Sequence, residues 1–175
     1  SRTVFHCSNG KCSWHSAVVL RSHGGGNVEY TEILYREEGP VGWLTLNRPD
    51  DGNMFTPTMC HEIRECINGA RRETRTRVLV LTGAGDKFFC IGGRKEGMKD
   101  TKLYAGVLPT LEIYEAIDRI QKPVIACVNG FAVGGGNVLQ MVCDLTIAKQ
   151  SAIFRQVGPM TVSYTHLTLP TSDLV

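Results

Sequence analysis

No run of this 175-residue chain approaches the roughly 18–20 consecutive apolar residues that a membrane-spanning helix needs. The short apolar stretch Ala17, Val18, Val19 and Leu20 stops at Arg21, too early for the core of a signal peptide. A charge excess is missing too. Nineteen Lys and Arg stand against seventeen Asp and Glu, so the net charge is +2 and no electrostatic case arises for a nucleic-acid or membrane-surface partner. Histidine is scarce, and between residues 29 and 160 only His61 occurs. The patterns G-x-S-x-G, H-E-x-x-H and G-x-x-x-x-G-K-[ST] are absent, which removes serine-hydrolase elbows, zincins and P-loops. What is present is an ordinary globular composition, 42% hydrophobic and 21% charged, unlike that of disordered, collagenous or coiled-coil chains.

The seven cysteines are odd in number and scattered, at positions 7, 12, 60, 66, 90, 127 and 143. Cys127 and Cys143 lie inside apolar runs, where free Cys acts as a small hydrophobe. This usage predicts a reducing, cytoplasmic setting without a disulfide framework. His6, Cys7, Cys12 and His15 invite a zinc reading, but no second ligand pair follows at zinc-finger spacing, and no metal is assigned.

Composition divides the chain into three zones. Residues 1–28 mix Ser, His, Cys and Gly without a period and read as a disordered leader or as upstream sequence translated in the wrong frame. Residues 29–160 carry regular patterns and read as the domain. Residues 161–175 break the pattern again. VSYTHLTLPT is what one frame of a common transposon sequencing adapter encodes, so this tail reads as a processing scar and the natural chain as interrupted near Met160.

Within the central zone, YTEILYR and VGWLTLN flank Glu37-Glu38-Gly39-Pro40 and predict a β-hairpin. Thr56-Pro57 predicts a helix start, with Thr56 as cap and Pro57 at the first helical position. Met59, Ile63, Cys66, Ile67 and Ala70 then fall on one face, and His61 on the polar side. Arg71, Arg72, Arg75 and Arg77 suit a helix C-terminus better than a phosphate site. VLVLTG and PVIACV read as buried strands, DLTIAK as another, and AIFRQVGP as the segment leaving it. A second helix is predicted near 107–121, with Leu108, Leu111, Tyr114, Ile117 and Ile120 on its inner side. GAGDKFFCIGGRKEGM reads as a glycine-rich loop, and NGFAVGGGNVLQMVCD as a glycine-rich turn into a helix.

Two strand–turn–helix units therefore place glycines where a strand ends, at Gly92-Gly93 and at Gly134-Gly135-Gly136. Glycine admits positive φ and lets a ligand approach the backbone N–H groups. Two such groups aimed at one point would form an oxyanion hole for a carbonyl that becomes an enolate. A packing cluster of glycines is the competing reading; G-x-G-x-x-G spacing is absent, so dinucleotide binding is not supported. Cys90 has no basic partner nearby in sequence and reads as packing.

RVLVLTGAGDKFFCIGG, KPVIACVNGFAVGGGNVLQMVCDLTIA and AIFRQVGP, in that order, resemble the crotonase (enoyl-CoA hydratase/isomerase) superfamily over roughly Tyr30 to Met160. The resemblance implies an α/β fold, a spiral of ββα units, here truncated after the GGG helix and the following strand. It implies an acyl-CoA substrate, a homo-trimer or hexamer for the intact protein, and two backbone donors at Ile91 and Gly135. It further implies an acyl-CoA lining at Gly92, Gly93, Arg94, Lys95, Tyr104, Phe131, Ala132, Val133, Gly134 and Val157.

The two glutamates that hydratases of this superfamily use fall at Val138 and Gly158, neither of which can carry a proton, so hydration chemistry is disfavoured. GGGNVLQMVCDLTIA and IFRQVGP instead resemble 1,4-dihydroxy-2-naphthoyl-CoA synthase and 2-ketocyclohexanecarboxyl-CoA hydrolase. The first resemblance implies an intramolecular Claisen ring closure, with bicarbonate as base at Gln156 and Gly158; the second implies ring opening. A Gln amide can donate to an anion, and Gly158 leaves volume for one. Arg94-Lys95 replace an Asp-Gln pair of the synthase, and the basic residue that helps hold CoA there falls at Gly52, with Arg48 as a candidate substitute. A non-catalytic CoA-binding or oligomerising module is the alternative from another class. The 175-residue chain by itself is expected to be inactive and to expose apolar faces.

Overall fold

The computed structural model describes residues 30–93 and 109–156. Strands β1 (Ile33–Glu38) and β2 (Val41–Leu46) form the antiparallel hairpin, with Glu38 opposite Val41 across Gly39-Pro40. Their alternation is that of a sheet with one inner face: Ile33, Tyr35, Leu44 and Leu46 are buried. A single 3-10 turn over Pro49–Asp51 leads to helix α1 (Pro57–Arg72). The Thr56 hydroxyl accepts the Met59 amide at 3.0 Å, as the sequence predicts for a cap. Met59, Ile63, Cys66, Ile67 and Ala70 are buried, and His61 is exposed. At the other end, the Lys122 ammonium donates to the carbonyls of Ala70 and Glu73, so a lysine distant in sequence closes the helix.

Glu62, on the same helix, is 8% exposed, which the sequence pattern does not suggest. Its carboxylate accepts the amides of Thr31, Glu32 and Ile33 and the Thr31 hydroxyl, at 2.7–3.2 Å. That is how a carboxylate can be buried without a cation. It ties the start of β1 to α1.

The chain then repeats one unit: β3 (Val78–Gly83), β4 (Phe88–Cys90) and α2 (Pro109–Arg119); β5 (Val124–Val128), β6 (Phe131–Val133) and α3 (Gly135–Met141); then β7 (Leu145–Ala148) and β8 (Ile153–Arg155). The first strand of each unit adds, in parallel, to a five-stranded sheet of order β1-β2-β3-β5-β7. The second strand of each adds, also in parallel, to a three-stranded sheet of order β4-β6-β8. The fold class is thus α/β with ββα repeats, as expected. Beneath the large sheet, α1 and α2 pack side by side, and Leu79, Leu81, Val124, Ala126 and Val128 meet Ile63, Ile67, Ile113 and Ile117 in one buried core.

Three strands lie where loops or turns were expected. β4 sits inside GAGDKFFCIGG, β6 inside NGFAVGGG and β8 inside AIFRQVGP, each only three residues long. The inner face of α2 also differs. Leu111 is 45% exposed, and Thr110, Ile113, Ala116, Ile117 and Ile120 are buried. Leu111 lies off the side that Ile113, Ala116 and Ile117 share, and Ile120 is buried just past the end of the helix. Leu108, together with residues 1–28 and 161–175, lies outside the described residues.

Candidate functional site

The two glycine turns meet. β4 and β6 are adjacent parallel strands, so Ile91-Gly92-Gly93 and Gly134-Gly135-Gly136 leave the small sheet side by side. Gly92 has φ +92°, and a Cβ there would lie 3.1 Å from the Gly135 nitrogen and 3.3 Å from the Val133 oxygen. Gly136 is packed tighter still: its Cβ would lie 2.0 Å from the Cys90 carbonyl oxygen. These glycines therefore bring backbone against backbone.

Which amides are free follows from the hydrogen bonds. The Ile91 amide donates to the Gly52 carbonyl at 3.2 Å, so the donor expected there already has an acceptor. The Gly92 amide lies against the Cys90 sulfur. The Phe55 amide donates to the Gly92 carbonyl at 2.9 Å, within a parallel bridge between Phe55 and Gly93, and Gly93 turns its own N–H to the opposite side. On the second turn, the Gly134 amide donates to Arg155 at 2.9 Å, and Gly135 opens α3. Neither the Gly93 nor the Gly135 amide has an acceptor among the described residues. At seven residues α3 is too short for much macrodipole, so its contribution is that unpaired N–H. The Tyr114 hydroxyl donates to the Gly135 carbonyl at 3.3 Å and steadies the turn from α2.

The remaining expected residues divide. Phe131 and Val133 are half-buried, and the Phe131 ring tilts against Phe88 at 5.8 Å. Ala132 is fully buried in the core, because β6 alternates its faces. Val138 is half-buried on α3. Gln156 is exposed and immediately follows Arg155, whose carbonyl holds Gly134. Arg94, Lys95, Tyr104, Val157 and Gly158 lie outside the described residues. Arg48 is not a free cation for CoA. Its guanidinium is held by Asp51 and by Glu32, the latter at 2.7 Å, and the Asp51 carboxylate first among these raises its pKa.

Burial pushes the Cys90 thiol up to about 12 and the Cys60 thiol to about 12 as well. Cys66 moves in the same direction for the same reason. At neutral pH these are packing thiols and not nucleophiles. Among the described residues no three His, Cys, Asp or Glu side chains gather in a way that could hold a metal ion, and no helix is long and apolar enough to cross a membrane.

Sequence reasoning missed Phe55, Asn53 and Asn129. Phe55 is 3% exposed, and its ring edge lies where a Gly135 side chain would be, at 3.3 Å. Asn53 is fully buried at φ +53°. The Gly52-Asn53 dipeptide, two residue types that accept positive φ, hints at a turn there but not at the role of the Asn53 side chain.

Residues 36–164 match the family model described as enoyl-CoA hydratase/isomerase. Among solved structures, an enoyl-CoA hydratase from Bacillus anthracis is 30% identical, with a TM-score of 0.69 over 76% of this chain and 53% of its own. An enoyl-CoA hydratase subunit I from Geobacillus kaustophilus is 32% identical, with a TM-score of 0.69 over 77% and 52%. An enoyl-CoA hydratase/isomerase from Mycobacterium paratuberculosis is 30% identical, with a TM-score of 0.68 over 74% and 54%. The chain spans about half the length of these structures.

Proposed function

Because the chain belongs to the enoyl-CoA hydratase/isomerase family, we propose that its paired glycine turns hold the thioester carbonyl of an acyl-CoA and stabilise the enolate formed from it. The observation that carries this reading is the convergence of two backbone turns with unpaired amides at Gly93 and Gly135. Preformed donors aimed at a developing oxyanion contribute more than donors that must reorganise. The first donor is assigned to Gly93 rather than Ile91, because the Ile91 amide is engaged by Gly52.

The finer proposal concerns what the enolate then does. Val138 stands where hydratases of the family carry a glutamate, and a valine moves no proton. The enolate carbon is then better used against a second carbonyl of the same substrate, as in the ring-closing chemistry of 1,4-dihydroxy-2-naphthoyl-CoA synthase. Gln156, exposed beside the Gly134 turn, can donate its amide to an anion such as bicarbonate, and the sequence places Val157 and Gly158 next to it. Bicarbonate bound there would supply a base for the carbon proton; Gln156 would orient it. Arg94, Lys95 and Tyr104 belong to the proposed acyl-CoA lining with Phe131 and Val133. Their two cations, in place of the synthase's Asp-Gln, are the observation that keeps ring opening of a cyclic β-ketoacyl-CoA as the second reading. A trimer or hexamer is the proposed assembly of the intact protein.

The test is a titration with acetoacetyl-CoA, whose enolate absorbs in the near ultraviolet; it reads binding at the two turns and not the turnover that the 175-residue chain by itself is expected to lack. The proposal expects an enolate band that saturates with ligand, together with no hydration of crotonyl-CoA. No band at any ligand concentration, or ready hydration of crotonyl-CoA, would overturn it. Products from ring-closed and ring-open acyl-CoAs then separate the two finer readings.

A further inference from the structure

Two carboxamides, Asn53 fully buried and Asn129 half-buried, converge on the loop that carries the first glycine turn, and no part of the proposed chemistry uses them. The Asn53 side-chain amide donates to the carbonyls of Ala84 at 3.0 Å and Phe88 at 2.9 Å. The Asn129 side-chain amide donates to Gly83 at 3.0 Å, Gly85 at 2.7 Å and Phe88 at 3.4 Å. Each oxygen is also used. Asn53 Oδ1 accepts the Arg48 amide at 2.9 Å, and Asn129 Oδ1 accepts the Gly83 amide at 3.3 Å. The two side chains thus meet on one acceptor, the Phe88 carbonyl, at the first residue of β4.

Their positions in the chain give this meeting its meaning. Asn53 sits between Gly52, whose carbonyl holds the Ile91 amide, and Phe55, whose amide holds the Gly92 carbonyl. The stretch from Gly52 to Phe55 therefore laces the loop from Ala84 to Gly93 along its length. Asn129 lies between β5 and β6, the strand that runs into Gly134 and Gly135. One carboxamide belongs to the segment flanking the Gly93 turn, and the other to the segment that delivers the Gly135 turn.

We propose that Asn53 and Asn129 are positioning residues that set the spacing and aim of the Gly93 and Gly135 amides through their shared grip on the Phe88 carbonyl. This rests on the acyl-CoA reading given above. An amide has two N–H donors in one plane, and these acceptors need them; an aspartate has the same shape and no such donor at neutral pH. Replacing either residue with aspartate takes N–H donors from these part-buried carbonyls and turns a carboxylate oxygen towards them. Oxyanion donors act over a few tenths of an ångström, so a small loop shift suffices to weaken them.

The test compares Asn53→Asp and Asn129→Asp with the unaltered chain and with Ile67→Val, a core change in α1. Three quantities are read: the enolate band with acetoacetyl-CoA, the amide resonances of Gly93 and Gly135, and hydrogen exchange across α1 and β1. Both Asn variants are expected to lower the saturated band at least about tenfold and to move both glycine resonances, while exchange in α1 stays protected. Ile67→Val is expected to loosen α1 and to keep the band. Should Asn53→Asp fail to fold, Asn129→Ser carries the test, since a serine hydroxyl cannot span three carbonyls and the site is half-buried. Asn variants that keep band and resonances, or that lose them only in step with global unfolding, overturn the proposal. If the unaltered chain gives no band while the Asn variants still move the Gly93 and Gly135 resonances, the acyl-CoA reading fails and the positioning role stands.

Discussion

Gly136→Ala is the sharpest perturbation of the site, because it adds one methyl group where backbone already meets backbone. The new Cβ would lie 2.0 Å from the Cys90 oxygen, 2.6 Å from its carbonyl carbon and 2.8 Å from its Cβ. Ordinary contact begins near 3.4 Å, so α3 must withdraw from β4 by about 1.4 Å. The obstacle is main chain, held in β4 by its pairing with β6, and no rotamer change relieves it. Gly135 is the preceding residue and moves with the helix. An amide that must sit 2.7–3.1 Å from an oxyanion cannot follow such a shift and still donate well, and a misplacement of about 1 Å costs on the order of 10²-fold. The overpacking also costs about 1–3 kcal/mol of stability. Gly39→Ala is the matched control: it too is strained, at φ +58°, but its Cβ meets nothing within 4 Å and it sits in the β1–β2 turn. The assay is the enolate band per folded molecule, with urea melts alongside. Gly136→Ala should abolish most of the band, and Gly39→Ala should keep it at a similar loss of stability. A Gly136→Ala chain that folds with an unchanged band would refute the reasoning.

Glu62→Gln should lower stability by about 2–4 kcal/mol, because one carboxylate oxygen that accepts from two donors becomes an NH₂ group facing them. Urea melts check this, and a loss below about 0.5 kcal/mol would remove Glu62 as the anchor of β1. Buried thiols set an alkaline limit. The Cys60 and Cys90 thiols, pushed up to about 12 in the fold, ionise near 8.5–9 when unfolded, so the unfolded state binds fewer protons between these values. Their contribution to stability is complete below about pH 8.5 and falls as pH rises towards 12. Melts from pH 7 to 11 should show that decline, and Cys60→Ala with Cys90→Ala should make it shallower, leaving the part carried by Cys66 and Cys143. Leu145 and Ile147, on the last strand of the large sheet among the described residues, are 54% and 55% exposed, and Met141 and Phe154 are exposed as well. Leu145→Lys with Ile147→Lys should reduce concentration-dependent association in light scattering; no change would show that this edge is inert.

The elements legible in the sequence were those with enough residues to show a period. The hairpin, the capped helix α1 and the runs VLVLTG and PVIACV all declared themselves through alternation, capping or continuous apolar character. β4, β6 and β8 did not, because three residues flanked by glycine carry no period, and they exist only through pairing with one another. For α2, stepping by three residues drifts around a helix, and the buried face runs Thr110, Ile113, Ala116, Ile117. At the site, the glycines marked the two turns. Which amide of Ile91-Gly92-Gly93 is free was not readable, since it depends on Gly52 and Phe55, about forty residues earlier. The same holds for Asn53 and Asn129, whose partners are carbonyls and leave no trace in side-chain identity.

The central claim is that the Gly93 and Gly135 amides together hold one thioester oxygen. It is tested most directly by recording amide resonances of the ¹⁵N-labelled chain during titration with acetoacetyl-CoA carrying ¹³C at the thioester carbon. The account predicts that the Gly93 and Gly135 amide protons move downfield together with the carbonyl carbon, while the Ile91 amide, held by Gly52, stays in place. A carbonyl that binds without moving either glycine, or one that moves Ile91 instead of Gly93, would contradict it.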